Sequence, residues 1–206
     1  RRIQIPAVLI FILLIVIIVI VVIALATHYI RIVEDLIANH IDIKKIIKEG
    51  ESSMVEFKST LRFDNYTEKV NKSLEETIMK SIAAFANAEG GRLFIGISDN
   101  GDLENDYSTL KQANKDFFEL HLRTLIETYY GNSFSAESIR IDFVEEEEKD
   151  ICIVYINKSN KPIYTKITNK QGAKEEKFYI RVGNSSREIA NASEIIAYIN
   201  KHFKKF

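Results

Sequence analysis

The sequence predicts an α+β fold, a single mixed-sheet domain preceded by one transmembrane helix, and three observations carry that prediction. From Ile5 to Ala26 no side chain is charged or strongly polar. Beyond that run, stretches with a helical period near 3.6 alternate with short β-branched and aromatic runs of strand character. No internal repeat or low-complexity linker divides the remainder, so about 160 residues share one core, an ordinary domain size.

Taken in order, the Ile5–Ala26 run as a helix is about 33 Å long at about 1.5 Å per residue, enough for a bilayer. Arg1, Arg2 and the Ala24-Leu25-Ala26 triplet also resemble a signal peptide. The apolar core of such a peptide usually ends after about 7 to 15 residues, so an uncleaved anchor is expected. The divisions are a transmembrane helix over 1–28, a helical stalk or linker over 29–41, and the α+β domain over 42–206. In the stalk, Ile30, Val33, Ile37 and Ile41 stand near helical spacing, and Asp42 opens a short helix that Gly50 ends.

The segment Met54–Ser59 reads as a strand with Val55 and Phe57 on the core face and Glu56 and Lys58 on the other. A helix follows within 67–91, with Leu74, Ile78, Ile82 and Phe85 on one side and Gly90-Gly91 as its stop. "RLFIGI" is apolar without alternation, which predicts a strand covered on both faces, and Gly96 leaves room for a close backbone or ligand. A second helix spans 110–130. Four strands, "SIRIDFV", "ICIVYI", "PIYTKIT" and "KFYIRVG", come next, with "EEEEKD" as a solvated hairpin tip and Cys152 as a buried thiol. A last helix opens near Ser193. Of Phe178 and Tyr179, which alternate, one is expected in the core and the other outside.

The chain has 28 Lys and Arg against 29 Asp and Glu, a net charge of −1. From Glu51 onward the balance is near −3, which counts against a domain that coats nucleic acid through bulk charge, so any nucleic-acid role needs a local patch. The sequence holds no phosphate-binding G-x-x-x-x-G-K-[ST] loop, no G-x-G-x-x-G, no G-x-S-x-G, no H-E-x-x-H and no C-x-x-C. Nucleotide-cofactor, serine hydrolase and zinc chemistries therefore have no support. Carboxylates remain. Glu51 and Glu56 are five residues apart, an odd spacing that puts them on opposite faces of one continuous strand, so only a turn near Gly50 and Ser52 brings them together.

"GESSMVEFKST", "IAAFANAEGGRLFIGISDNG" and "FYIRVGNSSREI", in that order, resemble the Schlafen-type AlbA-like (AlbA_2) domain over about residues 45 to 200. The resemblance implies nucleic-acid binding, RNA favoured over DNA; joined to the anchor read from the Ile5–Ala26 run, it gives a single-pass membrane protein whose domain is expected to face the cytoplasm, where RNA and DNA are. Vertebrate Schlafens use this domain as a ribonuclease core, with a metal held by two glutamates five residues apart and an aspartate after the glycine-rich strand. Carried over, Glu51, Glu56 and Asp99 become ligands of Mg²⁺ or Mn²⁺ and, with Lys58 beside the phosphate, the catalytic set of an endoribonuclease. Those enzymes pair two lobes, so with the single lobe here a complete RNA-clasping surface needs a homodimer or another chain. Lys58, Arg181 and Arg187 are the expected nucleic-acid contacts, with Lys174 and Lys177 nearby. Other readings stand beside these. The chain as a whole also reads as a non-catalytic, membrane-tethered oligomerisation module. Glu56 and Lys58 also read as an ordinary charge pair, Asp99 as a turn former, and Arg181 as the partner of an acidic neighbour.

Overall fold

A computed structural model of the chain describes residues 7–38, 42–104, 107, 109–169 and 171–203, with the side chains of the first helix described over 14–30. The chain divides into two compact units, Arg1–Asp42 and Ile43–Phe206. The first contains helix α1, Ala7–Ala38, which continues without a break into the segment expected to form a stalk; residues 1–6 and 39–41 lie outside the described residues.

The transmembrane helix expected over 1–28 requires correction. Among the described residues no helix is long and apolar enough to cross a membrane. The single-pass membrane location and the membrane as a partner rested on this helix and fall with it.

In the second unit, α2 (Ile43–Glu49) leads into β1 (Val55–Lys58). A two-residue hairpin, β2 (Phe63–Asp64) and β3 (Lys69–Val70), precedes α3 (Lys72–Ala86) and β4 (Gly91–Ile95). Helices α4 (Lys115–Tyr130) and α5 (Asn132–Ser138) follow, then β5 (Ile139–Glu146), β6 (Lys149–Ile156), β7 (Tyr164–Thr168), β8 (Lys174–Val182), β9 (Ser185–Ile189) and α6 (Ala192–His202). The expected α+β class with a mixed sheet holds. The helix expected from residue 110 starts at Lys115, because the Asn114 side chain accepts the Phe117 amide at 2.9 Å and caps it there. The β2–β3 hairpin, α5 and β9 are additions that the apolar pattern does not announce.

The main sheet has the order β1-β4-β6-β5, with β1 parallel to β4 and the other pairs antiparallel. The parallel pair requires a long crossover, which α3 supplies. Register places Glu56, Leu93, Val154 and Ile141 in one row across the four strands, on the face covered by α3 and α4. Phe57, Phe94, Ile153 and Asp142 form the corresponding row on the opposite face. The Phe57 and Phe94 rings meet edge-on at 5.9 Å, and Phe94 and Ile153 are fully buried. Both faces of β1 are thus covered, and Glu56 points into the larger core instead of the open side the alternation had suggested. Cys152 lies in that core, and burial pushes its thiol well above the ordinary range.

Gly96 sits where backbone, not ligand, comes close: a Cβ there would lie 2.8 Å from the Glu104 carbonyl oxygen, and its φ of +111° suits glycine. The second sheet, β7-β8-β9, is an antiparallel meander covered on one face by α6 through Phe178, Ile189 and Phe203. Helix α3 touches both sheets. Both Phe178 and Tyr179 are therefore buried, because β8 is covered by α6 on one side and by α3 on the other.

Asn87, the C-cap of α3, locks this arrangement. Its side chain accepts the Ile163 amide and donates to the Ile163 and Tyr179 carbonyls, each at 2.8 Å, while its own carbonyl accepts the Tyr198 hydroxyl at 2.9 Å. Replacing Asn87 with Ala leaves three buried backbone groups without partners. The expected loss is about 3 kcal/mol or more, read as a lower midpoint in urea unfolding with an unchanged slope.

Candidate functional site

Gly50 ends α2 with φ +75°, and the next residues curl tightly: Ser52 donates its amide to the Val55 carbonyl at 2.9 Å. This turn brings the Glu51 carboxylate back to β1, where Oε1 accepts the Phe57 amide at 2.8 Å. Glu51 thus caps the edge of the strand.

Glu56 stands one residue earlier on β1 and is almost wholly buried. Its Oε1 takes the Lys58 ammonium at 2.8 Å and the Ser81 hydroxyl at 3.3 Å, and its Oε2 takes the Arg181 guanidinium. Arg181, on β8 of the second sheet, is 2% exposed through its side chain. It also donates to the Ser52 carbonyl at 2.7 Å and the Ser186 hydroxyl at 3.2 Å, and its guanidinium lies 4.4 Å from the centre of the Phe85 ring. Lys58 donates in addition to the Phe57 carbonyl at 2.7 Å. Burial pushes the Glu56 carboxyl up; Lys58 and Arg181 outweigh it and hold the group below its ordinary value. The carboxylate stays ionised because two cations from different elements close on it in a largely buried site.

Asp99 is elsewhere. It lies in the turn that follows β4, where Gly101 donates to the Ser98 carbonyl at 2.9 Å. It lines a cleft of about 430 Å³ with Asp64, Asp102 and Glu104, a cleft that neither Glu51 nor Glu56 lines. Among the described residues, no three His, Cys, Asp or Glu side chains stand close enough together to hold one metal ion. The Mg²⁺ or Mn²⁺ set expected from Glu51, Glu56 and Asp99 does not fit this arrangement. A hard cation binds free carboxylate oxygens at about 2.0 to 2.2 Å, and both Glu56 oxygens already serve cationic partners.

Of the three expected nucleic-acid contacts, Lys58 and Arg181 are consumed by Glu56, and Arg187 on β9 faces solvent. Lys174 is exposed, and Lys177 pairs with Glu188 at 3.1 Å. The reading of Arg181 as the partner of an acidic neighbour is the one this geometry matches. Sequence reasoning missed a second buried acid: Glu75 of α3 takes His121 of α4 at 2.8 Å and Arg62 at 3.3 Å on the same oxygen. No local spacing could reveal that trio, since its members come from three separate elements.

The fold and the site together define an α+β domain whose two larger sheets are fastened by an internal ion-pair cluster. Its class follows from comparison: the family model described as "Schlafen, AlbA_2" matches residues 51–190, and the chain belongs to that family. Among solved structures it is similar to the DIP2311 protein of Corynebacterium diphtheriae, at 18% identity and a TM-score of 0.51. That match covers 74% of this chain and 28% of the other, so the chain spans little more than a quarter of that protein's length. It is also similar to the N-terminal domain of a RecG-related protein of Nitrosomonas europaea, at 21% identity, with 74% of this chain and 95% of the other covered and a TM-score of 0.39. No curated protein matches the chain.

Substituting Glu56 with Gln leaves Arg181 charged and buried without its counter-ion, an expected cost of about 3 to 5 kcal/mol. A melting temperature lower by about 10 °C is the readout. The pH dependence has a defined sign. Because the folded carboxyl titrates below its unfolded value, near 4.3, the pair's stabilisation is complete above that pH. It disappears as pH falls through the lower folded value. Urea titrations at pH 7 and at successively lower pH should therefore converge for the wild type and Glu56→Gln.

Proposed function

We propose that this domain binds nucleic acid, RNA in preference to DNA, through exposed cations, while Glu56 holds the fold together instead of a metal ion. One observation carries the reading: membership in the Schlafen AlbA_2 family over residues 51–190, a span that includes every strand and helices α3 to α5. The preference for RNA rests on the resemblance to Schlafens that process RNA. With Lys58 and Arg181 committed internally, the contacts fall to side chains free to meet phosphate, such as Arg187. Such contacts position a strand without reading its sequence. A near-neutral domain binds by a local patch, so the affinity should be modest and steeply dependent on salt.

Fluorescence anisotropy of the full chain with labelled 20-nucleotide RNA, single-stranded DNA and duplex DNA, between 50 and 200 mM salt, tests this. The expected result is tightest binding to RNA, with log K falling linearly against log salt and no change on adding EDTA. Arg187→Glu should weaken binding several-fold. Absence of salt-dependent binding to all three at 50 mM salt overturns the reading, and equal affinities overturn the RNA preference.

A further inference from the structure

The face of the main sheet opposite α3 and α4 holds one row that its apolar cover does not bury. Strand register aligns Val55, Arg92, Tyr155 and Arg140 across β1, β4, β6 and β5. The next row inward, Phe57, Phe94 and Ile153, is buried. Tyr155 and Arg92 are half-buried and Arg140 is exposed. The Arg140 guanidinium lies 3.9 Å from the centre of the Tyr155 ring, which fixes its plane. By register Arg92 stands on the other side of Tyr155 and, among the described residues, forms no ion pair; its guanidinium lies 5.9 Å from the centre of the Phe94 ring. Two clefts meet at Tyr155 and Asn157. One, of about 490 Å³, is lined by Arg92 and Lys158, and the other, of about 310 Å³, by Arg140 and Glu137.

We propose that Arg92, Tyr155 and Arg140 form a contact row for single-stranded RNA. The inference rests on the nucleic-acid reading above and assigns it a surface. Two guanidiniums on either side of a phenol hydroxyl offer converging donors to a backbone phosphate. The outer plane of Arg140, held flat against Tyr155, offers a platform for an unpaired base, which a duplex does not present. The neighbouring acids do not cancel the row. Asp142 pairs with Arg140 at 3.3 Å and Glu89 with Lys158 at 2.7 Å, and all four side chains are more than a third exposed. Pairs so open to water are weak, and a phosphate exchanges readily for the carboxylate.

The test uses the full chain and labelled 20-nucleotide oligo-U, beside an RNA duplex of equal length, from 50 to 200 mM salt. Arg92→Ala with Arg140→Ala should weaken oligo-U binding at least ten-fold. It should also lower the slope of log K against log salt by about 1.4, two contacts at about 0.7 each. Arg92→Lys with Arg140→Lys should restore the slope and only part of the affinity, because lysine keeps the charge and loses the plane. If the double alanine variant lowers the melting temperature, Arg140→Ala alone, at an exposed site, gives the same readout with half the slope change. Unchanged affinity and slope in the alanine variants, with the wild type binding, overturn the row and leave the binding reading standing. Equal binding of oligo-U and duplex overturns its single-strand character, and a wild type that binds neither overturns both.

Discussion

The contact between Glu56 and Arg181 joins the first strand of the domain to the second sheet across 125 residues of chain. Neither group belongs in an apolar core by itself, since removing one charge from water costs several kcal/mol. Together they are tolerable because almost every donor and acceptor is answered: Lys58 and Ser81 on one carboxylate oxygen, and the Ser52 carbonyl, the Ser186 hydroxyl and the Phe85 ring around the guanidinium. An apolar pair of similar shape would be as stable or more so, so the advantage of the charged pair lies in what it forbids. A one-residue slip of β1 against β4 would turn Glu56 to the opposite face and leave Arg181 alone in the core. The pair thereby selects one register and one way of docking the two sheets.

Helix α3 is the wall on which this docking happens. It carries Ser81 and Phe85 to the ion pair and ends at Asn87, whose amide serves two segments at once. Near its middle, the Met79 carbonyl accepts the Tyr130 hydroxyl, which also meets Thr165 of β7. Polar ties of this kind sit at each junction where apolar packing alone would permit sliding. In the same way Glu56, Lys58 and Arg181 serve one another as internal counter-ions, while Glu51 accepts a backbone amide.

Much of the fold was legible. The spacing of Ile78, Ile82 and Phe85, and the unalternating "RLFIGI", located α3 and β4 from local pattern alone. The orientation of Glu56 was not, because alternation tells which side chains share a face without telling which face is deeper. With Val55 and Phe57 on one side, the apolar side looked like the only core, and the neighbour Leu93 that places Glu56 in the larger one comes from register. The strands β2, β3 and β9 escaped for a different reason: two-residue or polar segments gain their pairing from partners distant in sequence. Arg181 carried a signal open to two readings, and only the fold brought its acid to it. The row of Arg92, Tyr155 and Arg140 had no signal at all, being spread over three strands.

The single thiol of the chain has a practical corollary. Cys152 sits at the centre of β6, walled in on the helix side of the main sheet. Its low acidity and lack of access make it inert to alkylating reagents while the strand stays paired. The rate at which such a reagent labels the protein therefore clocks the opening of its deepest region, with no engineered reporter required.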